Sequence, residues 1–218
     1  MQFVKQAVHL DPEINISGDQ AIKLIGRALA VPYAKDYKDE QAMVKRIGSA
    51  IRMGHGSVLE HANITLDVVT SIEVYKGFTR HRHCVFTIES TAFVKYDELT
   101  FMCEPGLEMC DSWGHIEEAY KHHSSRRDTK FARSLLPQGT AARMVMTTNV
   151  REYRHIIGLR GDPGDNRTNT ELRNLIWAEL NKWSPILFPM TKLDAPKDFW
   201  IPKLWGQPVR DDAEYCTI

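Results

Sequence analysis

A strong charge of either sign is missing from this chain: across 218 residues, 28 Lys and Arg are matched by 28 Asp and Glu. Proteins that hold nucleic acid by its backbone usually carry a basic excess, so no nucleic acid is expected as a partner and any anion site must be local. No apolar run approaches the roughly 20 residues that a bilayer-crossing helix needs, so no membrane partner is expected either. The opening residues Met1-Gln2-Phe3-Val4-Lys5 lack the basic and apolar regions of a secretory leader. The 4 cysteines, Cys84, Cys103, Cys110 and Cys216, show no CxxC spacing. They read as reduced thiols of a cytoplasmic protein rather than a disulfide frame or a zinc site. Also absent is the Gly-x-Ser-x-Gly elbow of serine hydrolases. Gly54-His55-Gly56-Ser57 follows a helical pattern, the wrong order for a dinucleotide-binding turn.

What is present is enough apolar material, 43% of residues, to bury one sizeable core, so a single domain over residues 1–218 is expected, with an irregular tail from 191. Residues 2–9 alternate as a first strand. Ser17 precedes an amphipathic helix, and the pattern predicts a second helix over 39–53 with Val44, Ile47 and Ile51 on one face. A half-buried strand is expected over 61–70, then a helix capped by Ser71 and running to about His81. Residues 91–96 and 100–103 read as extended, and 109–136 as one long polar helix ended by Pro137. A strand over 142–148, a helix over 150–159, a loop over 161–166 and an amphipathic helix over 171–187 complete the pattern. Without a βαβ rhythm, the fold class is α+β with an antiparallel or mixed sheet flanked by helices.

The densest chemistry lies in Arg80-His81-Arg82-His83-Cys84-Val85-Phe86-Thr87-Ile88-Glu89-Ser90. A metal needs three or four converging ligands, and His81 and His83 point to different sides of a helix end; they serve equally as hydrogen-bonding surface histidines. Arg80, Arg82, Arg133, Arg151 and Arg160 each adjoin an apolar segment, and guanidinium suits phosphates and electron-rich heterocycles. Glu89-Ser90-Thr91 favours ligand binding over a nucleophilic serine.

These residues resemble the flavin-dependent thymidylate synthases. That family's signature reads roughly RHRxxSxNxxS, and Arg80, His81, Arg82 and Ser90 match it at the same spacing; the RHRLASFSQESTRYCNY subset adds Phe86, Glu89, Thr91 and Tyr96. Gly54 to His61 looks like the family's GHxSxxEH, Ala132 to Pro137 its ARxxLP, and Thr148 to Arg151 its NxR turn. Leu159-Arg160 and Ser184 to Phe188 look like its LR and APxLF segments, in the same order.

The resemblance implies a homotetramer that takes a one-carbon unit from methylenetetrahydrofolate. It reduces that unit with flavin (FAD) and NADPH, and places a methyl group on C5 of a pyrimidine nucleotide monophosphate, dUMP. By matched position, Ser57, Arg80, His81, Arg82, Ile88, Asn149, Arg151 and His155 hold FAD. Arg80, Glu89, Ser90, Arg133 and Arg160 hold the nucleotide, with Arg160 the catalytic position. The chain departs from the pattern at Gly77, Val85, Thr87, Ile88, Ala92 and His155; Ala92 stands where the family has arginine. Those departures leave room for a related methylase or hydroxymethylase of UMP or dCMP, or for a non-catalytic flavin- or nucleotide-binding homologue.

Overall fold

Side-chain caps start four of the described helices close to where the sequence predicts them. The structure, a computed structural model, describes residues 1–34, 39–103, 106–126, 128–160 and 166–190. Ser17 forms a full capping box with Gln20 at the start of α1 (Gly18–Ala30): its hydroxyl accepts the Gln20 N–H, and the Gln20 side chain accepts the Ser17 N–H at 2.8 Å. Asp39 caps α2 (Glu40–Arg52), Ser71 caps α3 (Ile72–Phe78), and Asn149 caps α6 (Val150–Leu159). Each removes orphan N–H groups from a first turn.

Six strands are described: β1 (Gln2–Phe3), β2 (Ala7–His9), β3 (Asn63–Ser71), β4 (Val85–Ile88), β5 (Thr100–Phe101) and β6 (Ala141–Asn149). An antiparallel sheet takes the order β2-β3-β6-β4, and β1 pairs in parallel with β5, Gln2 opposite Thr100. The α+β expectation therefore holds. Alternation selects the buried face of β3, where Ile64, Leu66 and Val68 are buried, and of β6, where Ala142, Met144 and Met146 are.

The chain divides into two compact units. The first comprises 1–7, 67–82 and 86–146. Its core gathers Leu99, Phe101, Tyr120 and Ala132, with Tyr96, Trp113, Ile116 and Leu136 packed against them. The second comprises 8–66, 83–85 and 147–218, of which the described part packs α1, α2, α6 and α7 (Arg167–Trp183). Ile22, Ile25, Ile47, Ile51, Ile156 and Leu172 are buried there. Tyr153 of α6 is fully buried and donates its hydroxyl to the Ile64 carbonyl.

Several expectations are corrected. The single strand over 2–9 divides, because the Gln2 and Val4 N–H groups are drawn to the Leu99 and Phe101 carbonyls while Ala7–His9 joins the larger sheet. The expected strand over 91–96 opens as a turn, in which the Ser90 carbonyl accepts the N–H of both Phe93 and Val94. The long helix over 109–136 is α4 (Ser112–Arg126) followed by the short α5 (Thr129–Ala132). Asp128 interrupts it: extended at φ −162°, it caps α5 through the Phe131 N–H, a local bond that competes with continuing the helix. Helix α3 stops at Phe78 rather than near His81, and α7 begins earlier than 171 because Asn166 caps it. It ends at Trp183, before Pro185, so Leu187 lies past the helix yet is buried. The loop at 161–165 and the tail from 191 lie outside the described residues. Among the described residues no helix is long and apolar enough to cross a membrane.

Candidate functional site

In the first unit the cationic segment leaves α3 as a turn. The Arg80 and His81 N–H groups reach back to the Gly77 and Phe78 carbonyls, so the guanidinium of Arg80 starts at the carbonyl end of the helix, where cations are favoured. Arg80 and Arg82 are exposed, whereas His81 is buried with its ring against Phe78. The two histidines of the segment therefore differ: His83, next in the second unit, is exposed.

Strand β4 ends in Ile88, and Ile88, Glu89 and Ser90 are half-buried. The Glu89 N–H donates to the Arg143 carbonyl at 2.8 Å, which fixes the backbone at the strand's end. Its carboxylate accepts the Tyr96 hydroxyl at 2.6 Å. Burial, then that bond, pushes the Tyr96 phenol well above its ordinary value, so it remains a donor over the whole working pH range. Arg133 is exposed, in the helical turn that continues α5.

The second unit holds the other matched residues. Asn149 accepts the Glu152 N–H on its side-chain oxygen at 2.9 Å, leaving its amide NH2 as a donor. Arg151 and His155 are four residues apart on α6 and so share a face. Arg151 is ion-paired with Glu60, and it lies against Gly56: a Cβ there would meet the Arg151 Nε at 3.1 Å. Ser57 is exposed in the same 3-10 turn (Gly56–His61). Arg160 caps the far end of α6, half-buried, and its carbonyl accepts the Thr170 hydroxyl. Nine residues separate Arg151 from Arg160, roughly 13 Å along a helix.

Sequence reasoning left three supporting residues unassigned. Thr148 donates its hydroxyl to the His83 carbonyl at 2.8 Å and so pins the turn after Arg82. Glu60 pairs with Arg151, and Tyr96 orients Glu89. Glu60 and Tyr96 lie inside the quoted motifs, which was their signal; Thr148 carried none beyond its place beside Asn149.

Cys84 offers no nucleophile. Burial pushes its thiol up to about 12, so at neutral pH almost none is thiolate. Cys110 is exposed, and its hydrogen bonds with Ser112 lower its pKa. Iodoacetamide at pH 8 is therefore expected to label Cys110 well before Cys84, by peptide mass analysis; equal labelling of the two would contradict the environment described for Cys84.

A sulfur-free set of guanidinium, amide, hydroxyl and imidazole groups suits a phosphorylated, planar, electron-rich ligand. The family model described as thymidylate synthase complementing protein (Thy1) matches residues 16–186, and the chain belongs to this family. A flavin-dependent thymidylate synthase of Thermococcus onnurineus is 29% identical over 162 residues, covering 66% of this chain and 62% of that protein. The match thus spans under two thirds of that relative. A probable flavin-dependent thymidylate synthase of Mycobacterium phage D29 is 24% identical over 197 residues, covering 80% and 84%. Among solved structures, a UMP/dUMP methylase, PolB, from Streptomyces cacaoi bound with 5-Br dUMP superposes with a TM-score of 0.72 at 20% identity, covering 86% of this chain and 95% of that one. At that identity the likeness is one of fold.

Proposed function

We propose that this chain is a flavin-dependent thymidylate synthase, which reductively methylates dUMP at C5 with methylenetetrahydrofolate and NADPH to give dTMP. In this reading residues 1–218 form a single catalytic domain, cytoplasmic, and four copies make the working enzyme. The observation that carries the proposal is the family match over 16–186, which spans the cationic turn, the end of β4 and the whole of α6.

The chemistry of the residues in each unit supports a flavin ligand. In the second unit Gly56 lets the Arg151 side chain lie close against the backbone and Asn149 keeps two amide donors; in the first unit Arg80 and Arg82 stand exposed on one turn. Ser57, Arg80, His81, Arg82, Ile88, Asn149, Arg151 and His155 would hold it. Bound FAD supplies the hydride that reduces the transferred one-carbon unit. Arg80, Arg82 and Arg151 would supply positive charge that favours a reduced, anionic flavin. Arg80, Glu89, Ser90 and Arg133 bind the nucleotide. Arg160 stabilises negative charge at N3 of the pyrimidine: its guanidinium does not titrate near neutral pH, and loss of the N3 proton raises electron density at C5. No thiol adduct is required, in keeping with the raised Cys84 pKa.

A second reading, a methylase of UMP or dCMP, is favoured by one observation: Ile88, half-buried at the end of β4, and Ala92, in the turn after it, put apolar groups at positions that are polar in the family. A screen of pyrimidine monophosphates decides between them. The purified protein is expected to be yellow, to release FAD on denaturation, and to oxidise NADPH faster with dUMP, with dTMP found by mass analysis. Acceleration by UMP or dCMP alone would transfer the proposal to the second reading. A colourless protein that releases no flavin would end both.

A further inference from the structure

The nucleotide reading leaves one gap. Ala92 stands two residues after Ser90 and offers no charge to a phosphate; the sequence offers Lys95, exposed three residues on and past the turn, as one replacement. The fold of the first unit brings another cation to this turn from a distant segment.

The turn after β4 is tightly closed, with the Ser90 carbonyl accepting the Phe93 N–H at 3.1 Å and the Val94 N–H at 2.9 Å. Its tip is bound directly to α5: the Thr129 hydroxyl donates to the Ala92 carbonyl at 2.6 Å. The next residue, Lys130, lies with its Nζ 5.9 Å from the centre of the Phe93 ring. That is the outer limit of a cation–π contact, enough to favour this placement of the ammonium without consuming its three donors. Phe93 is 80% exposed, so the ring and the ammonium over it are open to a ligand. Arg133 follows Lys130 by three residues in continuous helical geometry, φ −56° and ψ −24°, which sets both cations on one face. The acids of these segments are engaged elsewhere: Asp128 accepts the Phe131 N–H at 2.9 Å, and Glu89 accepts the Tyr96 hydroxyl.

We infer that Lys130 is a phosphate-binding cation of the nucleotide site, acting with Ser90 and Arg133 in place of the charge that Ala92 lacks. The inference rests on the nucleotide reading above. A terminal monophosphate is the chemistry this pair recognises, since a compact ammonium attracts a dianion and the neighbouring guanidinium can bind it in bidentate fashion. Phe93 contributes by placing the ammonium over the Ser90 turn.

Calorimetric titration of the flavin-loaded protein with dUMP and with deoxyuridine, which lacks the phosphate, tests this. Lys130→Met keeps most of the apolar stem and removes the charge. It is expected to weaken dUMP binding about tenfold, the loss of one charge-assisted contact, and to leave deoxyuridine binding and FAD content unchanged. Lys130→Arg should restore most of the dUMP affinity. Unchanged dUMP affinity in Lys130→Met, or an equal loss for deoxyuridine, would overturn the role of Lys130 while the nucleotide reading stood. A wild-type protein that bound neither UMP, dUMP nor dCMP would remove both.

Discussion

Arg160→Ala is expected to lower the rate of methyl transfer by about three orders of magnitude while the protein keeps its full complement of FAD. The size follows from the role proposed for it. A preorganised charge facing a developing anion typically contributes about 3–4 kcal/mol to the barrier, and no neutral side chain replaces it. The selectivity follows from the fold. Arg160 sits at the C-terminal end of α6, whereas Asn149 and Arg151 lie at its start, roughly 13–16 Å away along the axis. Truncation beyond Cβ also leaves the bond from the Thr170 hydroxyl to the Arg160 carbonyl in place, so the helix end keeps that tie. Single-turnover formation of dTMP measures the chemical step, and flavin absorbance per chain measures retention. Arg82→Ala is the counterpart, expected to lose FAD while its folded fraction is unchanged. A near-normal rate in Arg160→Ala would remove the residue from the chemistry.

Gly18→Ala is expected to destabilise the protein by about 3 kcal/mol, although alanine is the better helix former. Helix propensity alone predicts a gain of up to about 1 kcal/mol. Against it stands a close approach: a Cβ at Gly18 would lie 2.2 Å from the Trp183 carbonyl oxygen and 2.9 Å from the Ser184 Cβ. The carbonyl belongs to the last residue of α7 and cannot swing aside as a side chain would. The Trp183 indole N–H also donates to the Ile16 carbonyl at 2.7 Å, tying the two segments together next to the clash. Overpacking of this kind costs about 1–3 kcal/mol, and backbone contact belongs at the upper end. Thermal unfolding should show a fall of about 6–12 °C for a chain of this size. Lys23→Ala, at an exposed position of the same helix, should leave Tm almost unchanged. A Gly18→Ala protein as stable as the wild type would mean that α1 and α7 can separate at no cost.

The elements legible in the sequence are those whose determinants are local. Ser17 with Gln20, Asp39, Ser71 and Asn149 each carry an oxygen that satisfies N–H groups within three residues, so the starts of α1, α2, α3 and α6 could be placed from the chain alone. Alternation in β3 and β6 was likewise visible, because side-chain direction follows the pleat. What could not be read turns on distant partners or on a choice between two local bonds. The Leu99 and Phe101 carbonyls divide the first strand. Asp128 halts a helix that periodicity would continue, and the Ser90 carbonyl bends a segment that reads as extended.

The candidate site divides in the same way. The sequence by itself determined the inventory: a cationic segment ahead of β4, an Asn-x-Arg turn into a capped helix, and a second arginine at that helix's end. These are residue identities at short spacings, and all of them lie within the residues the family model matches. Only the tertiary structure decided which groups are offered and which are engaged. It buries His81 against Phe78 while Arg80 and Arg82 remain exposed, sets Glu60 on Arg151, and brings Lys130 over Phe93. The physical reason is that burial and pairing depend on what the chain returns to the same place. Lys130 reaches its position only because Thr129 bonds the Ala92 carbonyl, a contact between residues 37 apart in sequence that no local pattern records.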